Sequence, residues 1–446
     1  MLSVNPAGAA LRTLGCFLLL ALLADEAVGA EPAGGLPADG YQQPSTNAAK
    51  PDGEKERPLL TVGGHLELEF ESETNYNLDD SEARDVATLE PEVELDLTFQ
   101  PLDEFFVFLA LKTKHEFALW EQGPNDDRDL EFEIEELYWD VSDVFLEGLG
   151  IRVGRQAFDD DREWLYDEEL DGPRVFLSTG NLDLEASITR ENLVDRDLLN
   201  AGEKGEVDQY FLYGQYNLHE DLFVGAYYFI FNDTTDDNDD PQFIGLRSGG
   251  EAIDGLKHWL EAVHVRGEEG STDIRAFGFD VGGTYTFDAP LTPYFSLGFA
   301  YGSGDSNPGN GDDSNFRQTG LQDNDDKIGG VANVHYYGEA FQPELSNMEI
   351  YTAGVGFRPT PKSSIDLVYH HYRQVDASDD VRDAEFDADP LGNDKTLGNA
   401  LDLILAYREI PNLRLELVFG YFNPGSAYGS GADDALFSGA KVRYLF

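Results

Sequence analysis

Between residues 60 and 71 the chain alternates without interruption. Leu60, Val62, Gly64, Leu66, Leu68 and Phe70 hold one parity, and Thr61, Gly63, His65, Glu67, Glu69 and Glu71 hold the other. A second run sets Leu89, Val93, Leu95, Leu97 and Phe99 against Glu90, Glu92, Glu94, Asp96 and Thr98. A period of two puts alternate side chains on opposite faces of a β-strand. One face is then greasy and the other ionised, over a length that crosses a bilayer when tilted.

The alternation recurs almost to the last residue. It predicts strands at 60–71, 87–100, 104–117, 129–141, 147–157, 171–178, 181–190, 207–218, 221–232, 242–248, 256–267, 273–288, 291–303, 347–359, 363–376, 398–409, 412–423 and 436–446. The expected fold is all-β: a transmembrane antiparallel β-barrel of about 18 strands, about 16 being the alternative, with both termini periplasmic. Short connections (100–104, 217–221, 287–293, 358–364, 409–412) alternate with long ones (72–86, 118–128, 158–172, 191–206, 305–347, 376–397). Tight periplasmic turns and long extracellular loops produce that asymmetry. A barrel of this size encloses an aqueous lumen. The last strand sets Leu436, Ala440, Val442, Tyr444 and Phe446 against Phe437, Gly439, Lys441, Arg443 and Leu445. Phe105, Phe106, Tyr138, Tyr227, Tyr228 and Tyr421 fall towards strand ends, where interfacial girdles belong.

The rest of the chain organises around this barrel, 59–446. Residues 1–30 read as a secretory signal, with Arg12 ahead of the apolar run Leu14 to Ala24 and a small-residue cleavage site at Val28-Gly29-Ala30. The only cysteine, Cys16, lies inside that segment, so the mature chain is expected to form no disulfide. Residues 31–58, rich in Pro, Gly, Ala and charge, are expected to be a flexible periplasmic lead-in. No stretch has the length and apolarity of a transmembrane helix. An exported chain of this kind belongs in the outer membrane of a Gram-negative cell.

Charge narrows the ligands. There are 87 acidic against 30 basic residues, a formal net charge of -57. Nucleic acid is excluded as a partner, because no basic stripe exists to neutralise phosphates. Acidic runs such as Asp236-Asp237-Asn238-Asp239-Asp240 suit a salty habitat, or divalent bridging to lipopolysaccharide.

Two segments carry unusual sequence. The first runs from Val153-Gly154-Arg155-Gln156 through Asp161-Arg162-Glu163-Trp164-Leu165-Tyr166-Asp167 to Leu170-Asp171-Gly172. The second contains Phe316-Arg317-Gln318-Thr319-Gly320-Leu321-Gln322-Asp323-Asn324, then Tyr336-Tyr337-Gly338-Glu339 and Pro343-Glu344-Leu345-Ser346-Asn347. In these strings, and in its barrel frame, the chain resembles the alginate-export family of outer-membrane proteins. The resemblance implies an 18-stranded barrel that passively exports an anionic exopolysaccharide through an arginine-lined lumen. It also implies a periplasmic helical-repeat scaffold as partner; we expect a monomer without cofactor.

With the apolar parity outward, the basic residues expected to face the lumen are Lys112, Lys114, Arg152, Arg174, Arg358, Arg408, Arg414, Lys441 and Arg443. Repeated weak guanidinium contacts would let a polyuronate bind yet keep moving. The same parity turns Glu67, Glu69, Glu90, Glu92, Glu94, Asp96, Glu131, Glu133, Glu135, Asp183 and Glu185 inward. Either acidic and basic walls pair across the lumen and leave a local basic constriction, or the channel passes neutral or cationic solutes as a diffusion porin. A structural or adhesion barrel is a third reading. Arg155, Asp161, Arg162, Asp171, Arg317, Gln318 and Gln322 are loop or gate candidates, able to fold loops into the pore mouth or to touch substrate.

Catalytic readings find little support. The acids are too many for any carboxylate spacing to be informative, and no H-E-x-x-H, G-x-S-x-G or P-loop pattern is present. His370-His371 points its members to opposite faces, and Asp233 to Asp240 lacks the glycine of an EF-hand loop, so no metal site is expected from either.

Overall fold

The computed structural model describes residues 58–81, 83–121, 130–200, 205–235 and 239–446. The expected signal segment and all but the last residue of the lead-in lie outside them, as do 236–238 of the acidic run.

Eighteen antiparallel strands close on themselves. They are β1 (Leu60–Thr74), β2 (Val86–Leu102), β3 (Phe105–Lys114, continued by Phe117–Glu121), β4 (Glu131–Val141), β5 (Leu149–Asp159), β6 (Asp167–Thr179), β7 (Leu182–Arg190), β8 (Val207–His219) and β9 (Leu222–Asp233). Then follow β10 (Gln242–Ile253), β11 (Leu256–Glu269), β12 (Thr272–Thr286), β13 (Tyr294–Gly302), β14 (Met348–Thr360), β15 (Ser363–Gln374), β16 (Thr396–Tyr407), β17 (Leu413–Pro424) and β18 (Ala435–Leu445). Each strand pairs with its sequence neighbours, and β1 closes on β18 from His65↔Leu445 to Thr74↔Leu436. Closure leaves no edge, which hydrocarbon requires because unpaired backbone groups find no water there. Among the described residues no helix is long and apolar enough to cross a membrane, which leaves open a crossing made by strands.

The parity read from the sequence holds on β1: Val62 and Leu68 point out and are exposed, while His65 and Glu67 point in and are buried. Replacing an outward residue such as Leu417 with Arg near the bilayer midplane would cost ~2–4 kcal/mol. On β4 the parity fails. Ala110 of β3 pairs with Glu136 but Leu111 pairs with Ile134, so Glu135 is an extra residue on β4. This bulge reverses the faces beyond it. Leu137 and Trp139 turn out, and Tyr138 and Asp140 turn in. Tyr138, at 1 % exposure, is therefore a lumen residue and not part of a girdle, and Tyr227 is likewise buried.

Connections on one rim are short, as between β2 and β3 or β14 and β15, and on the other rim mostly long. Two expectations are corrected there. The segment expected to loop over 158–172 is largely strand, with Phe158↔Glu168 and Asp159↔Asp167 paired, so that only 160–166 connects β5 to β6. On the same rim β11 and β12 are joined by 270–271 alone. The longest connection, 303–347, turns inward. It contributes the pair Asp312–Asp313 alongside β12, and a small hairpin in which Asp325↔His335 and Asp326↔Val334 are partners.

Candidate functional site

The inward face of the barrel is built by strands and loops together, and its chemistry starts with the wall. The nine basic residues expected there find partners, mostly on adjacent strands. Lys112 Nζ lies 2.7 Å from Glu135 Oε1 and Lys114 Nζ 3.6 Å from Glu131 Oε2. Arg152 Nε lies 2.9 Å from Asp140 Oδ2 and its guanidinium sits 4.3 Å over the Tyr138 ring. Arg174 donates to Glu185 at 2.7 Å and Arg408 to Glu416 at 2.8 Å. Lys441 lies 2.9 Å from Glu69, Arg443 pairs with Glu67, and Arg414 stands opposite Arg443 in register. Arg358 instead donates through Nε (2.8 Å) and Nη2 (2.5 Å) to the carbonyl of Gly329 in the long connection. Basic and acidic side chains thus pair sideways along the wall, not across the lumen as one expectation had it.

The loop candidates separate into two groups. Arg155 and Asp171 are strand residues, directly paired between β5 and β6, and not members of a loop. Arg155 donates to both Asp171 oxygens (3.0 and 2.8 Å) and to the carbonyls of Ile134 (3.2 Å) and Val194 (2.6 Å). Pairing between β4 and β5 stops at Leu137↔Arg155. Beyond that point residues 194–198 fill the seam, Ile134 donating to the Arg196 carbonyl and Leu198 to that of Phe132. Arg155 and Asp171 are a wall fastening.

Arg162, in contrast, is a lumen residue. Its side chain is 11 % exposed, and its guanidinium lies 4.6 Å from the Trp259 ring of β11 and 4.1 Å from the Tyr336 ring of the long connection. Nη1 donates to Asp280 Oδ2 on β12 at 3.0 Å, and Nε lies 3.7 Å from Asp326. Asp280 also accepts from Trp259 Nε1 (2.9 Å) and the Tyr337 hydroxyl (3.2 Å), which in turn accepts from Trp164 Nε1 (2.9 Å). Burial alone would lower the Arg162 guanidinium, but Asp280 and Asp326 hold it above its ordinary value. A pocket of 30 Å³ remains beside it, room for a water or two.

Arg162 is placed by the turn that carries it. Asp160 caps that turn, accepting from Leu165 and Tyr166 backbone amides (2.8 and 3.3 Å) and from Arg247 at 2.5 Å, while Asp161 is exposed. Leu165 and Tyr166 bury against inward aromatic residues Phe211 and Phe229 of β8 and β9. Glu163 sits among Asp167, Asp323 and Asp325, and burial followed by those carboxylates pushes its own carboxyl up to about 9.

The connection 303–347 supplies the other half. Arg317 is held by Asp313 (2.6 Å), Glu269 (2.7 Å) and Asp239 (3.3 Å). Gln318 binds the Trp164 carbonyl (3.1 Å) and the Asn324 side chain (2.8 Å), and Gln322 accepts from the Gly320 amide (2.8 Å), so both clasp loops and are not aimed at open lumen. The segment then runs down the lumen as a strap. At its tip the Ile328 carbonyl accepts from Thr284 (2.5 Å) and Ser296 (2.8 Å), Gly329 from Arg358, and Ser364 Oγ accepts from the Val331 amide (3.0 Å). On the way back Glu339 lies buried beside Asp402, and burial pushes its carboxyl up to about 8. Burial would lower His335, but Asp325 at 2.6 Å raises it to about 10.

Sequence reasoning missed Asp160, Arg247, Trp259, Glu261 and Asp280. Arg247 met the criterion used for the other basic residues, since Ile244 and Leu246 set the outward parity of β10. It lies between Asp160 and Glu261 (3.2 Å).

Comparison with known proteins agrees with this architecture. The family model described as alginate export matches residues 59–437. The alginate production protein AlgE of Pseudomonas aeruginosa is 27 % identical over 231 residues, 44 % of this chain and 46 % of that protein. AlgE of Azotobacter vinelandii is 26 % identical over 186 residues, 37 % of this chain and 38 % of its own. The chain thus aligns with less than half the length of these curated relatives. Among solved structures, Pseudomonas aeruginosa OccK11 (OpdR) superposes with a TM-score of 0.57 at 14 % identity, covering 87 % of this chain and 96 % of that one. OccK2 (OpdF) of the same organism, solved in complex with glucuronate, gives 0.56 at 12 % identity over 87 % and 98 %. At such identities the likeness is one of fold.

Proposed function

Because the chain belongs to the alginate export family and is an outer-membrane β-barrel, we propose that it is a passive export channel for an anionic exopolysaccharide of the polyuronate class. The observation that carries this reading is the lumenal Arg162, held between two aromatic rings against the carboxylate of Asp280. With the strap displaced, a uronate residue offers the same carboxylate to the guanidinium and a sugar face to Trp259. One charge-assisted hydrogen bond on Arg162 replaces another, and Asp280, opened to water by the same movement, keeps the bond from Trp259 Nε1. Weak, exchangeable contacts are what a moving polymer needs. The wall cations Lys112, Lys114, Arg152, Arg174, Arg408, Lys441 and Arg443 contribute in the same manner, each paired with a neighbouring carboxylate and so unable to trap the chain.

Transport of a polymer requires the strap 303–347 to swing away, since it is fastened at Arg358 and Ser364 near the short-connection rim. No covalent step, cofactor or catalytic residue enters this reading. A signal segment at 1–30, a lead-in at 31–58, monomeric assembly, contact with lipopolysaccharide and a periplasmic helical-repeat scaffold complete it. A second reading, a diffusion porin, is favoured by inward carboxylates that outnumber the cations, Glu71, Glu73 and Glu90 among them. Planar-bilayer recording decides. Block of the current by oligouronates supports export, and cation selectivity without block supports the porin.

A further inference from the structure

The cluster formed by His65 of β1 and Glu92 and Glu94 of β2 belongs to none of the machinery above. We propose that it is a binding site for a single zinc-type divalent cation, independent of what the channel transports. His65 is 9 % exposed and stands directly opposite Glu94 in register, with Glu92 two residues along the same face. Its Nε2 lies 2.8 Å from Glu92 Oε1 and its Nδ1 3.7 Å from Glu94 Oε1. The three side chains bring one ligand atom each within 4.8 Å of one another. Ligands at about 2.1 Å in a tetrahedral array stand about 3.4 Å apart, so small side-chain rotations close the site. One imidazole and two carboxylates, with water in the fourth position, is a donor set suited to zinc and poor for calcium or magnesium.

A second observation points the same way. Asp96, the next inward residue on β2, is half-buried beside Glu94, and its Oδ1 atom is enclosed with no donor directed at it. Its register partners are Gly63 on β1 and Ala110 on β3, neither of which offers a side-chain donor. The nearby Lys112 approaches Glu92 at 3.8 Å but is committed to Glu135 at 2.7 Å, and Arg443 pairs with Glu67. Carboxylates accumulate on this stretch faster than the resident cations balance them. A bound divalent ion supplies that balance and ties β1 to β2 next to the β1–β18 closure.

The experiment uses the full mature barrel refolded in detergent and Zn²⁺ alone as probe, followed by competition with a chromophoric chelator. One equivalent of zinc bound, unaffected by millimolar calcium, is expected. Outer-shell partners of metal ligands cost about 10–100-fold in affinity when removed, so His65→Ala and Glu94→Gln, which remove ligands, should each weaken binding by at least about tenfold. Heat modifiability on gels guards against misfolding. Zinc should raise the transition temperature of the unmodified barrel and leave that of His65→Ala unchanged, and Co²⁺ should give the visible spectrum of a nitrogen- and oxygen-ligated ion. Unchanged zinc binding in His65→Ala, which would place the ion on the acidic loops, overturns the proposal. So does the absence of binding, which would leave His65 as a hydrogen-bonding partner of the two carboxylates and nothing more.

Discussion

Arg162 Nη1 lies 3.0 Å from Asp280 Oδ2, and the two residues come from elements far apart around the barrel, one on the turn between β5 and β6 and the other on β12. Both side chains are nearly buried, at 11 % and 3 % exposure. The contact therefore fixes where a turn sits inside a wide pore, and it holds a guanidinium ready for a competing carboxylate.

Asp280→Asn keeps the size of the side chain and removes its charge. Trp259 can still donate to an amide oxygen in the Oδ1 position, while Tyr337 and Arg162 lose the Oδ2 acceptor they share, which is the strongest partner of Arg162. We expect oligouronates to block the channel about tenfold more tightly, ~1.4 kcal/mol, because the internal competitor is gone. Titration of block in planar bilayers measures it. Equal or weaker block in Asp280→Asn would refute the exchange at Arg162.

Arg155→Lys tests the wall fastening. A lysine cannot present two parallel donors to Asp171 while also reaching the carbonyls of Ile134 and Val194. Removing the charge altogether, as in Arg155→Met, leaves Asp171 buried with only the Val194 amide (3.1 Å) and should cost about 3–5 kcal/mol. Urea unfolding of the refolded barrel should rank wild type above lysine and lysine above methionine. Gly154 beside it has φ +138°, and a Cβ there would meet the Leu137 carbonyl oxygen at 2.1 Å. Gly154→Ala should weaken the same seam, by ~1–3 kcal/mol of backbone strain alone.

Strap docking should weaken as pH rises. Glu339 has its carboxyl raised by burial to about 8 from 4.5, so the docked state binds more protons than a solvated strap between those values. Docking stability from this group falls from about pH 4.5 and levels off above about 8. His335 is raised to about 10 from 6.5 by Asp325, its partner in the same hairpin, so that pair holds the hairpin together and travels with the strap. The docking slope comes from Glu339, and channel open probability should increase between about pH 4.5 and about pH 8. Glu339→Gln should flatten that profile. A profile that rises towards acid instead would contradict the assignment.

The extent to which this molecule could be read from its sequence follows the physics of each region. All strands of the barrel were legible, because an outward Leu or Val and an inward Glu obey a local period of two. At Glu135 the period breaks, and nothing local marks the bulge that brings Tyr138 and Asp140 to the lumen. The inward aromatic residues Phe211, Phe229 and Phe243 could not be told from outward ones, since β8 to β10 are apolar on both faces where they receive Tyr166 and Leu165. The motif around Arg162 stood out, but its partners Trp259 and Asp280 lie some 100 residues away on unremarkable strands, and only closure of the barrel brings them together.

The strap offers the most direct test of gating. Its tip is fixed by the Val331 amide on Ser364 Oγ at 3.0 Å, by Arg358 on the Gly329 carbonyl, and by Thr284 and Ser296 on that of Ile328. Each contact is a neutral or singly charged hydrogen bond worth about 1–3 kcal/mol at most, so their sum resists casual opening yet yields to a polymer or partner that replaces them. The chain carries no cysteine after Cys16, and a pair introduced as Val331→Cys with Ser364→Cys has no competing thiol in the barrel. Oxidation of that pair should abolish polymer export and oligouronate access while leaving heat modifiability intact, and reduction should restore both. Export that persists at full oxidation would show that the polymer passes with the strap in place and would overturn the gating role given to it.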